Sequence, residues 1–314
     1  MVHSAVIFPG QGAQTIGMGR DFADQSDCAR RVYDQANGVL GFDLATICFE
    51  GPAEQLERTD IQQPAIFVTS VAIWETYREA AGRAATFSHA GGLSLGEYTA
   101  LYAAGSIEFA DALRLVRRRG ELMQTAALTS PGGMVSLIGA DEAQAHALCE
   151  RAAHGETLTP ANFNCPGQIV IAGTKDACAR AVALADEFGC RAVPLALAGA
   201  FHSPLMAPAA DGFGHVLNGT DMRHPSMRVI ANVNADYHGD AASIRESLRR
   251  QLTHPVLWRR SVERLIADGV KRFVEIGPGR VLTGLMRKIN RSVMVDNIST
   301  AAGLVEALGA AKAG

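Results

Sequence analysis

Several signals are missing from this sequence, and each gap narrows the problem. Neither sign of charge dominates: 29 Lys and Arg face 32 Asp and Glu, for a net charge of −3. Without a basic stripe there is no footprint for nucleic acid, and without an acidic tail no block of disorder. No apolar run reaches the ~18 residues of a membrane span. The first residues, Met1-Val2-His3-Ser4, carry no positive region followed by a long apolar stretch, so no secretory leader is expected. None of the six cysteines (Cys28, Cys48, Cys149, Cys165, Cys178, Cys190) sits in a Cys-x-x-Cys pair. In a chain of this length they read as reduced core thiols, and the expected location is cytoplasmic. There is no internal repeat and no low-complexity segment. What remains is 314 residues with 48% hydrophobic content, enough for one large domain or a domain with an insert.

The strongest local pattern is Gly92-Leu93-Ser94-Leu95-Gly96. A short stretch that can run as a strand, Thr86 to Ala90, precedes it, and a helical stretch, Glu97 to Ala104, follows. Gly-x-Ser-x-Gly between strand and helix is a nucleophile elbow. Its turn is so tight that side chains two residues either side of the serine would collide. The helix then aims its N-terminal amides at the serine, where negative charge is favoured. By itself the pentapeptide also fits a glycine-rich loop with a solvated serine; the flanking elements favour the elbow.

Ala5-Val6-Ile7-Phe8 reads as a fully buried parallel strand that stops at Pro9-Gly10-Gln11-Gly12. The amide- and glycine-rich loop after it lies where an α/β sheet builds a ligand crevice, or is a plain connection. It matches neither a dinucleotide loop nor a P-loop. Apolar spacing predicts a core helix over 65–80 and another over 111–126. The second carries Arg114, Arg117, Arg118 and Arg119. Three of these read as a solvated face. Arg119 has Leu115 and Leu122 as its neighbours along the helix, so it projects from an apolar face. A bound anion, held bidentately, or an internal salt bridge would each account for it.

From about Gly132 the order becomes strand (134–139), helix (142–153), strands (157–164 and 168–172), helix (175–188), strand (191–196). This βαββαβ series is a ferredoxin-like unit, and predicts a small inserted subdomain at 130–196 within a core of 1–129 and 197–314. Next comes Gly199-Ala200-Phe201-His202-Ser203-Pro204. An elbow serine needs a base from later in the chain, and His202 suits that position, although a satisfied structural histidine reads the same way. His254, beside Pro255, is its rival. His146, His154, His224 and His238 stand in polar or helical surroundings, and His89 packs against the sheet. Strands at 229–234, 272–276 and 293–295 and helices at 244–252, up to 269, and from 281 complete the pattern, with a terminal helix whose alanine-rich end is expected to fray.

Seven co-linear motifs carry a resemblance: Phe8-Pro9-Gly10-Gln11-Gly12-Ala13-Gln14; Gly92 to Tyr98; Arg119-Gly120 with Met123-Gln124; Asn162-Phe163-Asn164 with Pro166-Gly167-Gln168; Gly199 to His202; Gln251-Leu252 with Pro255-Val256 and Trp258; and Glu275 to Gly279. Over nearly its whole length the chain resembles the malonyl-CoA:acyl carrier protein transacylases of type II fatty acid synthesis. The resemblance implies an α/β-hydrolase-like core with a parallel sheet around the ferredoxin-like insert. It implies Ser94 as nucleophile and His202 as general base and acid, with no carboxylate third member. The imidazole would be oriented by the backbone carbonyl of Gln251, and the amides of Gln11 and Leu95 would form the oxyanion hole. Arg119 would pair with the malonyl carboxylate, and Phe201, Asn162 and Leu93 would shape the acyl site. Many members carry histidine where this chain has Leu93; others match it. Phe201 goes with malonyl rather than methylmalonyl in related domains. The implied substrates are malonyl-CoA and acyl carrier protein, with no resident cofactor, no metal, no nucleic acid, no membrane, and a monomeric state. A free-standing polyketide acyltransferase, a malonate decarboxylase subunit and a serine thioesterase or hydrolase are the alternatives.

Overall fold

The computed structural model describes residues 3–82, 86–197 and 199–313. Readings that fall on Met1, Val2, Ala198 and Gly314 lie outside these. Strand β1 (His3–Phe8) is central. Alternation sends Val6 and Phe8 to one face and Ala5 and Ile7 to the other, and all four are completely buried in two different core clusters. Helices α1 (Arg20–Gln25), α2 (Asp27–Leu40), α3 (Leu44–Glu50) and α4 (Ala53–Leu56) follow. The sequence reading assigned none of these. Their caps are nonetheless visible in hindsight: the Ser26 and Asp43 side chains accept from the Ala29 and Thr46 amides.

Helix α5 (Thr59–Ala81) is almost wholly buried and begins earlier than its apolar spacing implied. Pro64 lies inside it. Proline has no N–H to give the carbonyl of Asp60, and Arg117 Nη1 donates to that oxygen instead at 2.7 Å. Arg117, expected on a solvated face, is therefore drawn inward, and it also meets Asp60 Oδ2 at 3.3 Å. Arg114 and Arg118 do lie on the surface, on Asp111 and Glu121.

β2 (His89–Gly92) leads into α6 (Gly96–Ala103). The strand begins later than 86–90 and runs into the glycines, because it pairs in register with β1 from Ala5↔His89 to Phe8↔Gly92. Helix α7 (Phe109–Thr129) crosses α5 at Gly120, where a Cβ would stand 2.7 Å from the carbonyl oxygen of Thr59. Close backbone approach there sets Arg119 beside Gln63, the residue before Pro64.

β3 (Gly132–Ile138), α8 (Glu142–Ala153), β4 (Leu158–Cys165), β5 (Gln168–Thr174), α9 (Lys175–Leu184) and β6 (Arg191–Pro194) come next. They form a four-stranded antiparallel sheet in the order β4-β5-β3-β6, with its own apolar cluster against α8 and α9. Helix α10 (Ala207–Asn218), which the sequence reading also omitted, precedes β7 (Arg228–Val229). The strand expected over 229–234 stops here. Ile230 bridges to Tyr237 across a tight turn, and the Asn232 side chain is drawn to the elbow. After α11 (Ala241–Gln251) and α12 (Trp258–Ala267) come β8 (Val270–Ile276), α13 (Val281–Ile289), β9 (Met294–Ile298) and α14 (Ala301–Ala313).

The larger sheet is five-stranded and parallel, in the order β7-β2-β1-β8-β9. The protein is thus mixed α/β, with a parallel sheet and a smaller antiparallel one. The segment before α12 ties them together. The Phe163 amide donates to Val256 O at 2.9 Å, and the Val256 amide to Ala161 O at 2.8 Å. Among the described residues no helix is long and apolar enough to cross a membrane, and all six cysteines are free. Burial pushes the Cys48 and Cys149 thiols up to about 12.

Candidate active site

The carboxyl ends of β1 and β2 open on a cleft of about 180 Å3, closed on its far side by the small sheet. Ser94 sits at its base, in the turn between β2 and α6. Its φ is +51°, a conformation that costs a β-carbon-bearing residue energy. The glycines around it are required by contact. A Cβ on Gly92 would stand 2.0 Å from the Gly96 carbonyl carbon, and one on Gly96 would stand 2.1 Å from Phe8 O. Asn232 staples the turn. Its Oδ1 accepts from the Ser94 amide at 2.6 Å, and its Nδ2 donates to Gly92 O at 2.8 Å.

His202 lies on the loop that returns from the small sheet, also at positive φ (+58°). Its Nε2 is 2.8 Å from Ser94 Oγ, and its Nδ1 is 2.7 Å from the carbonyl oxygen of Gln251, the last residue of α11. A carbonyl can only accept, so Nδ1 carries the proton and Nε2 is free to receive one from the serine. Burial, with Arg119 nearby, depresses the imidazolium so that its pKa falls to about 4; the Gln251 carbonyl opposes this only partly. At neutral pH the ring is therefore an uncharged acceptor. His254 is not in competition. It lies three residues past the end of α11, with Nδ1 2.9 Å from Arg250 O.

Arg119 is 1% exposed. Its Nη1 donates to Gln63 Oε1 at 2.6 Å; its Nη2 donates to Gln251 Oε1 and to Ser94 Oγ, both at 2.9 Å. The guanidinium also lies 5.3 Å from the Tyr98 ring centroid. Among the described residues no carboxylate forms a salt bridge with it, and its Nε has no partner. The internal salt bridge that its helical position allowed is not there. The described contacts of this buried cation are all to neutral groups, and one of them is Ser94 Oγ.

The remaining sequence candidates gather on the same cleft. Gln11 and Leu93 line it beside Ser94, Phe201 beside His202, and Asn162 comes from β4 of the small sheet. Leu95 opens the first turn of α6. Among the described residues, neither the Gln11 nor the Leu95 amide donates a hydrogen bond.

Four residues were missed. Glu97, fully buried, accepts from the Asn232 amide at 3.0 Å, from Gln251 Nε2 at 2.7 Å and from His238 Nε2 at 2.8 Å. His238, expected in polar surroundings, is 7% exposed and belongs to this network. Gln63 and Asn232 complete it. The usable signals were faint: one carboxylate beside Tyr98 in an apolar helix, and amides within apolar runs.

Residues 5–306 match the acyl transferase domain family. The chain is 42% identical to the malonyl CoA-acyl carrier protein transacylase of Salmonella typhimurium, over 98% of this chain and 99% of the relative. It is 43% identical to the protein of that name from Bacillus subtilis, over 94% and 93%. Among solved structures, an acyl carrier protein S-malonyltransferase from Vibrio cholerae superposes with a TM-score of 0.93 at 40% identity, covering 97% of this chain and 99% of that one. A type II PKS acyl-carrier protein in complex with its malonyl-transacylase gives a TM-score of 0.95 at 41% identity, covering 98% and 99%.

Proposed function

The chain belongs to the acyl transferase domain family, and from that premise we infer that it transfers the malonyl group of malonyl-CoA to the phosphopantetheine thiol of an acyl carrier protein, in fatty acid synthesis. Full-length identity of about 40% to transacylases of that name supports the reaction. The observation that supports the site assignment is Arg119, with no carboxylate in direct contact among the described residues, at 2.9 Å from the Ser94 hydroxyl. A malonyl thioester carries an anionic group two bonds from the carbon to be attacked, and this pair meets both ends of it.

In this mechanism Ser94 Oγ attacks the thioester carbonyl carbon while His202 Nε2 takes its proton. The carbonyl oxygen becomes anionic and is received by the Gln11 and Leu95 amides, where loss of one donor costs ~2.7–4 kcal/mol. The carbon–sulfur bond breaks, and the imidazolium returns its proton to the departing CoA thiolate. The carrier thiol then gives its proton to His202 and attacks malonyl-Ser94; the ester carbon–oxygen bond breaks, and the imidazolium returns the proton to Ser94 Oγ. Gln251 O holds the imidazole in its working tautomer, the part that a carboxylate plays in a triad. Arg119 holds the malonate end, and Phe201, Leu93 and Asn162 bound the acyl site.

We read the large sheet with its elbow as an α/β-hydrolase-like core (1–129 and 197–314). The βαββαβ order and the strand order β4-β5-β3-β6 support reading 130–196 as a ferredoxin-like subdomain. On this reading the enzyme is a cytoplasmic monomer, and its only thioester partners are its substrates. The polyketide alternative keeps one specific support, the likeness to the type II PKS complex. Both readings are tested together. The protein is incubated with malonyl-CoA, the Ser94 peptide is weighed, and carrier proteins of each pathway or water are added to see which clears the mark. An unmarked Ser94 peptide ends the account, and clearance by water alone favours a hydrolase.

A further inference from the structure

We propose that Glu97 is a positioning residue for acyl selection, locking the Gln251 carboxamide so that its oxygen faces Arg119. This rests on the transacylase reading above. Glu97 touches neither Ser94 Oγ, His202 nor Arg119; it acts one residue away from them.

Gln251 is the hub. Its backbone oxygen takes the His202 Nδ1–H, and its side-chain oxygen takes Arg119 Nη2. Its Nε2 donates to Ser94 O at 3.1 Å and to Glu97 Oε2 at 2.7 Å. A primary amide can be turned end for end with little change of shape, so its neighbours decide which end goes where. A carboxylate is an acceptor only. With the Glu97 oxygens accepting on one side and a guanidinium donating on the other, one orientation satisfies both and the reverse satisfies neither. Glu97 is itself held, since its second oxygen meets His238 Nε2 at 2.8 Å. Among the described residues the buried His238 Nδ1 has no partner, and the ring's contact to the carboxylate is made by Nε2 alone.

The arrangement also settles how a buried guanidinium stays available. An acid in direct contact would occupy the fork that a malonyl carboxylate needs. Glu97 stands instead at one amide's remove, close enough to offset the charge and too far to compete.

The test compares Glu97→Gln and Glu97→Asp with the wild type. The readout is kcat/KM for malonyl-CoA and for acetyl-CoA, alongside the melting temperature and the mass of the Ser94 peptide. In Glu97→Gln the new amide can donate to a reversed Gln251, whose NH2 then faces Arg119. Malonyl transfer is expected to fall about tenfold, the equivalent of one hydrogen bond to a charged group, while acetyl transfer changes much less. Glu97→Asp keeps the charge but shortens the reach, and lowers the same ratio in the same direction. Adding Glu97→Gln to Arg119→Ala produces no further change in ratio. If Glu97 were only a counter-charge, Glu97→Gln would raise the malonyl preference and Glu97→Asp would leave it alone. That result, or an unchanged ratio in whichever variant folds, overturns the proposal. A wild type whose Ser94 peptide carries malonyl while the ratio stays constant removes this proposal alone. A wild type with no mark removes the transacylase reading, and this proposal with it.

Discussion

Arg119 Nη2 donates to Ser94 Oγ at 2.9 Å, while the hydroxyl faces His202 Nε2 at 2.8 Å. The serine oxygen therefore accepts from a cation and donates to a neutral base. Such polarity favours the developing alkoxide. It also puts the guanidinium within one acyl unit of the reacting oxygen.

Arg119→Ala separates the two roles of that cation. Under the proposed mechanism Arg119 holds the malonyl carboxylate, and its loss should lower kcat/KM for malonyl-CoA by about 10²- to 10³-fold. An acetyl group has no carboxylate to lose, so acetyl transfer should hold or improve. Parallel rates on the two thioesters check this. Loss of both together would mark Arg119 as a structural residue.

His202 predicts an unusual acid limb. Its ring is held to about 4 in the folded protein, against ~6.5 in an unfolded chain. The base is neutral above the lower value, so kcat/KM for malonyl-CoA should stay flat from pH 7 to about 5 and fall below that. The sign for stability is the same. The unfolded chain binds the proton more readily, so this contribution is complete above ~6.5 and drains away as pH falls toward 4. Titration of the His202 ring nitrogens by NMR is the direct measurement. A midpoint near 6.5 would contradict the burial argument.

Phe201 packs against the cleft beside His202 and is 3% exposed. A branching methyl next to the acyl carbonyl would have to share that space. Phe201→Ser should therefore improve methylmalonyl relative to malonyl by about tenfold, the scale at which a pocket weighs one methyl group. The ratio of kcat/KM for the two thioesters decides it, and comparable values in the wild type would remove the premise.

Local chemistry was legible in the sequence and distant pairing was not. The elbow could be read because Gly92 must clear the backbone of Gly96 within the same five residues, and Arg119 because it breaks an apolar face of its own helix. The parallel strand at Ala5–Phe8 announced itself by having no polar side. β2 was harder: His-Ala-Gly-Gly carries small residues because Gly92 must clear the carbonyl of Gly96, and small residues do not look like a strand. The stretch 229–234 looked like a strand and mostly is not one, because Asn232 leaves the sheet to bind the elbow. Glu97, Gln63 and Asn232 gave faint signals for one shared reason. Each is a polar group whose partner lies far along the chain, so only the fold supplies its purpose.

Asn232 yields the sharpest test of the elbow. Its carboxamide bridges the Ser94 amide and the Gly92 carbonyl, 2.6 and 2.8 Å away, and it is completely buried. Asn232→Leu keeps the volume and removes both partners. A buried N–H and a buried C=O are then left unpaired, at about 1–3 kcal/mol each. One of them belongs to a residue already held at φ +51°. The strain at Ser94 survives only while its surroundings over-determine it, so the turn should relax and carry Oγ away from His202. Expected are a melting temperature lower by several degrees and a fall of about 10²-fold in the rate of Ser94 acylation, since small misplacement of a reacting group is costly. Asn232→Asp separates the two bonds. It keeps the acceptor for the Ser94 amide but sets an oxygen against Gly92 O, so it should lose stability while retaining more of the acylation rate than Asn232→Leu. Stopped-flow acylation and calorimetry on the two variants would check this order, and equal rates in both would mean that the staple does not place the serine.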